Sequence, residues 1–186
     1  YIPIATNKEG VHDYAEWLNI ADVISQNPNY DSEVNSGKKT YADGWTDPMK
    51  TWYNDLIKTG LIGKEVLGMN GQQAEDLFAT EKAAILQGAG PWSIDPLKKK
   101  NPNLQMDMFP FVGTKGTPML QGAPNVALTI SAKTKNMDAA KTFLNWIGTT
   151  EGLQAYRKMT GQVLLVDGVD YQIDPVIGQF KDKALK

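Results

Sequence analysis

The chain contains no cysteine, and that one absence removes disulfides, thiolate metal sites and thiol nucleophiles together. A protein without thiols suits reducing and oxidising surroundings alike, so the compartment stays open. Histidine is almost as scarce. His12 is the single one, too little for a histidine-based zinc site or a nucleophile–histidine triad. It reads as a polar residue on an early helical turn. No run of about eighteen apolar residues is present, so no segment reads as a membrane-spanning helix. An excess of one charge is missing too. With 19 basic and 21 acidic residues the net charge is −2, and no broad basic field exists for nucleic acid. Lys98, Lys99 and Lys100 form the only basic run, which reads as a solvated helix end.

What remains has the composition of an ordinary folded protein: 186 residues, 41% apolar and 22% charged. That length suffices for one sizeable domain or parts of two. Tyr1-Ile2-Pro3-Ile4-Ala5 opens the chain as a strand with no signal segment before it. The sequence is therefore expected to be a piece of a longer protein.

Val11, Tyr14, Ala15 and Leu18 fall on one helical stripe, predicting a helix over about 9–25 that Pro28 ends. Residues 27–44 are polar and read as loop. Asp47 as cap, Pro48 at the first helical position and Gly60 as terminator bracket a helix carrying Met49, Trp52, Tyr53 and Leu56. A shorter helix over about 72–80 buries Ala74, Leu77 and Phe78, and Ala83–Leu86 reads as a buried strand. Leu104, Met106 and Met108 alternate with a strand's period of two. After the Gly/Pro/Thr-rich stretch Gly113–Pro124, Val126–Ile130 is another strand candidate. Helices capped at Asn136 and Thr150 follow, the second ended by Gly161. Alternating strands and helices point to a layered α/β fold.

Two tryptophans stand out as candidate ligand contacts. Gly88-Ala89-Gly90-Pro91-Trp92 combines glycines that admit close backbone approach with a flat indole face. Sugar rings, with apolar C–H faces and polar rims, suit such a platform. The same five residues also describe a turn with a core tryptophan, and they are no dinucleotide fingerprint. Trp45, in the loop expected before the Asp47 cap, is either a lid over the core or a ligand contact. Trp52 and Trp146 read as packing residues. Tyr14 belongs to its helix's stripe, whereas Trp17 departs from it and is expected to be exposed. Among the acids, Asp43 with Asp47 or Glu75 with Asp76 are the pairs a glycosidase would need, but capping and solvation explain them better.

Read in order, these segments resemble the family 1 extracellular solute-binding proteins, the group that includes maltose-binding protein. The matching stretches are Tyr1–Ala5, Trp52–Leu56 with Gly60, Leu77–Ile85 with Gly90-Pro91-Trp92, Phe109-Pro110, and Leu128–Ser131 through Lys135-Asn136 to Leu144. Together they cover nearly the whole chain. The resemblance implies an incomplete two-lobe fold of the type II periplasmic-binding-protein kind. Residues 1–112 would be the second lobe, 113–125 a crossover or hinge, and 126–186 a returning segment. In the family that segment packs on a first lobe, which is absent here, so it is expected to expose apolar surface that could drive dimerisation.

The resemblance further implies a non-catalytic carbohydrate receptor, without cofactor or metal. It would sit outside the cytoplasm, periplasmic or lipid-anchored, and deliver sugar to an ABC permease in the membrane. Trp92 and Gly90 are the first ligand-contact candidates and Trp45 the next. Glu81 departs from the family pattern, standing where glycine is usual at the turn into the strand. A carbohydrate-active enzyme fragment and a protein-binding adaptor are the alternative readings.

Overall fold

Two short strands run side by side in parallel at the centre of the first half of the chain. In the computed structural model, which describes residues 1–116, 118–119, 127–162 and 174–178, β1 (Ile2–Ala5) pairs with β2 (Ala83–Leu86). The register is Ile2 with Ala83, Ile4 with Ile85 and Ala5 with Leu86. Parallel strands cannot be joined by a tight turn, and here α1 to α4 all lie in the connection. Those are α1 (Asp13–Asn19, continued by a π-helical turn over Ile20–Ile24), α2 (Tyr30–Asn35), α3 (Ala42–Thr51, continued by a π-helical turn over Trp52–Ile57) and α4 (Gly71–Ala79).

Both faces of the strand pair find apolar cover. Ala5 and Ala83 pack with Ala74 of α4, joined by Ile2, Met69, Leu77 and Leu86. Ile4 turns the other way, against Leu56, Ile62 and Val66. Ala79 then meets Leu97 and Leu104, tying α5 (Ile94–Lys100) to the back of α4. The start of α4 is fixed by a reciprocal cap: the Asn70 side chain accepts from the Gln73 N–H, and Gln73 Oε1 accepts from the Asn70 N–H, each at 2.9 Å.

Helix α3 departs from the sequence reading. It begins at Ala42 and holds Pro48 in its interior, so neither Asp47 nor Pro48 opens it and the stretch 27–44 is partly helical. The start is set by Asp43, whose carboxylate accepts from the Thr40 N–H and hydroxyl at 2.7 and 3.0 Å. A proline inside a helix denies one donor to the carbonyl four residues earlier, here that of Gly44. Asn19, fully buried, replaces it: its Nδ2 donates to the Gly44 oxygen at 2.8 Å. Gly44 itself lacks a side chain because the buried Tyr30 ring occupies that space. One side-chain amide thus repairs the helix and joins α1 to α3.

The turn into β2 carries the only non-glycine residue with positive φ among those described, Glu81 at φ 59°. Its N–H bonds to the Phe78 carbonyl at 3.0 Å and that of Lys82 to Leu77 at 2.9 Å, the paired pattern that closes a helix through a left-handed residue. Glycine is the residue this geometry favours, so the departure noted in the sequence falls on a strained position.

Several other expectations change. Residues 104–109 form no strand, and neither do 127–130. Thr117, residues 120–126 and, in the tail, 163–173 and 179–186 lie outside the described residues. At the start of the candidate hinge, β3 (Phe111–Val112) and β4 (Pro118–Met119) form an antiparallel pair. The second helical pair, α6 (Met137–Ile147) and α7 (Thr150–Thr160), sits close to expectation. The cap of α7 is Thr149, whose hydroxyl accepts from the Gly152 N–H at 3.2 Å, and Gly161 ends the helix at φ 69°. Helix α6 buries none of its residues: Phe143 is 52% and Trp146 38% exposed. Trp146 therefore does not fill a core as the sequence suggested. No helix among the described residues is long and apolar enough to cross a membrane.

Two substitutions check these points. Asn19→Leu leaves the Gly44 carbonyl buried without a donor and should cost about 2–3 kcal/mol in urea unfolding. Glu81→Gly relieves a left-handed residue at the cost of a more flexible unfolded chain, for a net gain of about 0.5–1 kcal/mol.

Candidate functional site

The carboxyl ends of β1 and β2 lie side by side, the edge of a parallel sheet where ligands commonly bind. Their exit loops are tied together. The Gln87 N–H donates to the Ala5 carbonyl at 2.9 Å, and Gln87 Nε2 to the Gly10 carbonyl at 2.6 Å. Asn7 organises the first loop, its Oδ1 accepting from the N–H groups of Glu9 and Gly10 at 2.9 Å. The second loop reaches Gly90-Pro91-Trp92 and a single 3₁₀ turn, Pro91–Ser93, before α5.

Trp92 is 43% exposed, so it does not fill the core. Its indole folds back over Gly90, and a Cβ there would clash with the outer edge of the six-membered ring, 2.2–2.6 Å from its atoms. Gly90 is buried beneath it, its N–H 3.4 Å from the Ser93 hydroxyl and its carbonyl accepting from the Ser93 N–H at 2.9 Å. The glycine expected to approach a ligand thus serves as the seat of the indole. On the far side, Gly161 at the end of α7 comes so close that a Cβ on it would stand 3.2 Å from Trp92 Cα. A recess of about 150 Å³ opens next to this contact, lined among others by Pro91, Asp95, Arg157, Asp174 and Ile177. Asp174 bonds Lys98 Nζ at 2.9 Å and the Val176 N–H at 2.9 Å. Burial pushes its carboxyl up, but these partners outweigh that and hold it below its ordinary range.

Asp13 faces the junction of the two exit loops from the first turn of α1. Its Oδ2 would stand 3.0 Å from a Cβ on Gly10 and 3.7 Å from one on Gly88. Burial raises its carboxyl above the ordinary range; His12 opposes the shift and Glu16 adds to it. His12 Nε2 lies 3.8 Å from Asp13 Oδ1. Possible ligand atoms of His12, Asp13 and Glu16 gather within 4.8 Å, closer than a lone histidine suggested. Two of the three are exposed, an arrangement helix starts commonly show without an ion.

A second cluster braces the hinge candidate. Phe111 sits edge-on to Tyr14 and Trp17, with ring centroids 5.1 and 5.6 Å apart. Trp17 is therefore half-buried rather than free. The Thr114 N–H and hydroxyl donate to Asp22 Oδ2 at 3.1 and 2.7 Å. Trp45 lies within α3, not in a loop, and is half-buried. The described contacts do not bring it to Trp92. Trp52 packs as expected, its Nε1 donating to the Val11 carbonyl at 2.7 Å.

Asp13 escaped the sequence reading because an acid in a first helical turn looks like an ordinary charge–dipole pairing. The signal that could have found it is the placing of Gly10 and Gly88 just beyond the two strands.

Gly90→Ala should swing the exposed indole outward. The expected result is an altered Trp92 emission component, read against Trp92→Phe, with stability changed by less than about 1 kcal/mol. A loss of several kcal/mol would mean that the ring is a core residue after all.

The chain is similar in sequence to known proteins. Residues 4–172 match the family model described as bacterial extracellular solute-binding protein. A multiple sugar-binding protein of Streptococcus mutans is 31% identical over 122 residues, covering 62% of this chain and 29% of that protein. The chain thus spans well under a third of that relative's length. No solved structure matches it. The match over 4–172, with the parallel strand pair and its glycine-seated tryptophan inside it, shows that this chain belongs to the bacterial extracellular solute-binding protein family.

Proposed function

We propose that this chain is the sugar-facing part of an extracytoplasmic saccharide receptor that serves an ABC importer and makes or breaks no bond. The observation that carries the reading is the exposed Trp92 indole, set on Gly90 at the carboxyl end of a parallel strand pair. A flat aromatic face beside hydrogen-bonding loops matches the two-sided chemistry of a pyranose ring. The name of the streptococcal relative points to the same ligand class.

In this reading residues 1–112 form most of one type II lobe, 113–125 the crossover and 126–186 a returning segment. The Asp22–Thr114 bonds fix one end of the crossover. The apolar side of α6, with Phe143 and Trp146, would meet the companion lobe, or a second copy where that lobe is missing. Ligand binding would close the lobes about the hinge and present the closed form to the permease. Trp92 is the primary contact, Gly90 its support, and Trp45 an outer contact at most.

A hydrolase would need two carboxylates facing each other across the sugar bond. Among the described residues at the strand exits, Asp13 is the partly buried carboxylate; Glu9 and Glu16 beside it are exposed.

Calorimetric titration of the full-length protein with neutral di- and trisaccharides (maltose, maltotriose, cellobiose, lactose, sucrose, raffinose) tests the proposal. At least one should bind without turnover, and Trp92→Ala should weaken it about 30-fold or more, the loss expected of a central aromatic contact. Product formation, or binding indifferent to the substitution, would overturn it.

A further inference from the structure

Residues 111–114, where the chain enters the crossover, are held to α1 and its π-helical continuation at one point after another. Phe111 sits edge-on to the Tyr14 and Trp17 rings. Gly113 is buried, and a Cβ on it would clash with Ala21 and with the Asp22 carboxylate. Thr114 then gives both its N–H and its hydroxyl to Asp22 Oδ2, at 3.1 and 2.7 Å. Asp22 lies in the π-helical turn Ile20–Ile24, an irregularity that recurs at functional positions. Directly after these contacts the chain turns back. The Gly116 N–H donates to the Gly113 carbonyl at 2.9 Å, Gly116 takes φ 78°, and β4 returns along β3. Phe111 and Gly113 already seat the strand by packing. The exposed Asp22–Thr114 bonds add little to overall stability, but they fix the direction in which the chain leaves.

We propose that Asp22 is a positioning residue for lobe closure: it clamps residues 111–114 to α1, so that this stretch moves with the strand pair and takes no part in the hinge rotation. The inference rests on the receptor reading above and removes residues 113 and 114 from the candidate hinge. Every crossover residue left free in the open form must be ordered again when the lobes close. Releasing the clamp widens the range of orientations the open form samples and lowers the apparent affinity without touching the sugar. Asparagine keeps an oxygen acceptor at this position, whereas alanine has none.

The test uses the full-length protein with spin labels at Lys50→Cys in α3 and Lys141→Cys in α6, exposed positions on either side of the crossover. No cysteine of this chain competes for the label. In pulsed EPR without ligand, Asp22→Ala should give a broader distance distribution than wild type, and Asp22→Asn one close to wild type. In calorimetry with the neutral sugar that wild type binds best, Asp22→Ala should bind about fivefold or more weakly, and Asp22→Asn within about twofold. Thr114→Val, which removes one of the two bonds, should move both readouts the same way, and it carries the test if Asp22→Ala does not fold. An unbroadened distribution or an unchanged affinity in the variant that carries the test would overturn the clamp and leave the receptor reading standing. If wild type binds no neutral sugar, the receptor reading falls and the role in closure falls with it.

Discussion

The parallel pairing of β1 with β2 is the constraint on which the rest depends. Three residue pairs hold the register, and a slip of one would turn every side chain to the opposite face. Ala5 and Ala83 would leave the α4 cluster, and Ile4 would leave Leu56 and Val66. The same register decides where the two exit loops finish. Because Ala5 is opposite Leu86, Gly10 and Gly88 end beside each other, and Gln87 can span the gap between loops. The closeness of the two exit loops is therefore a consequence of strand pairing and not of any one loop's conformation.

Around that edge the packing depends on what is left out. Gly90 has no side chain, so the indole can fold down while staying exposed. Gly88 takes φ 77°, a turn that glycine makes without strain, and Gly10 leaves the space that the Asp13 carboxylate packs against. Elsewhere the fold compensates carefully for local faults: Asn19 replaces the donor that Pro48 removes, and two backbone bonds hold Glu81 in a left-handed turn. Those repairs lie away from the strand exits, where the partly buried Asp13 carboxylate sits.

Much of this was legible in the sequence, and unevenly. The helix ending at Gly161, the strand at 83–86 and the fourth helix followed from periodicity and end signals that local physics fixes. Family membership followed from the order of short motifs, with Trp92 among them. The start of α3 did not follow, because Asp47-Pro48 is a good helix opening and the true one, Thr40 with Asp43, is decided by a side chain reaching back three residues. Trp45 was misplaced by the same error. Trp146 was read as core from spacing alone, but spacing reports an apolar face and not what covers it. Asp13 required knowing which loops become neighbours, a long-range fact no local pattern carries.

The proposed receptor role turns on saccharide lying on Trp92 at the strand exits. Two-dimensional NMR of the protein, following backbone amides and the five tryptophan indole N–H signals during addition of a bound neutral saccharide, tests it most directly. The expected result is that the Trp92 indole and the backbone amides of Gly10 and residues 88–92 (Pro91 excepted) shift together, while the Trp52 indole, held by Val11, stays in place. Shifts centred on Trp45 or Trp146, with Trp92 unmoved, would contradict it.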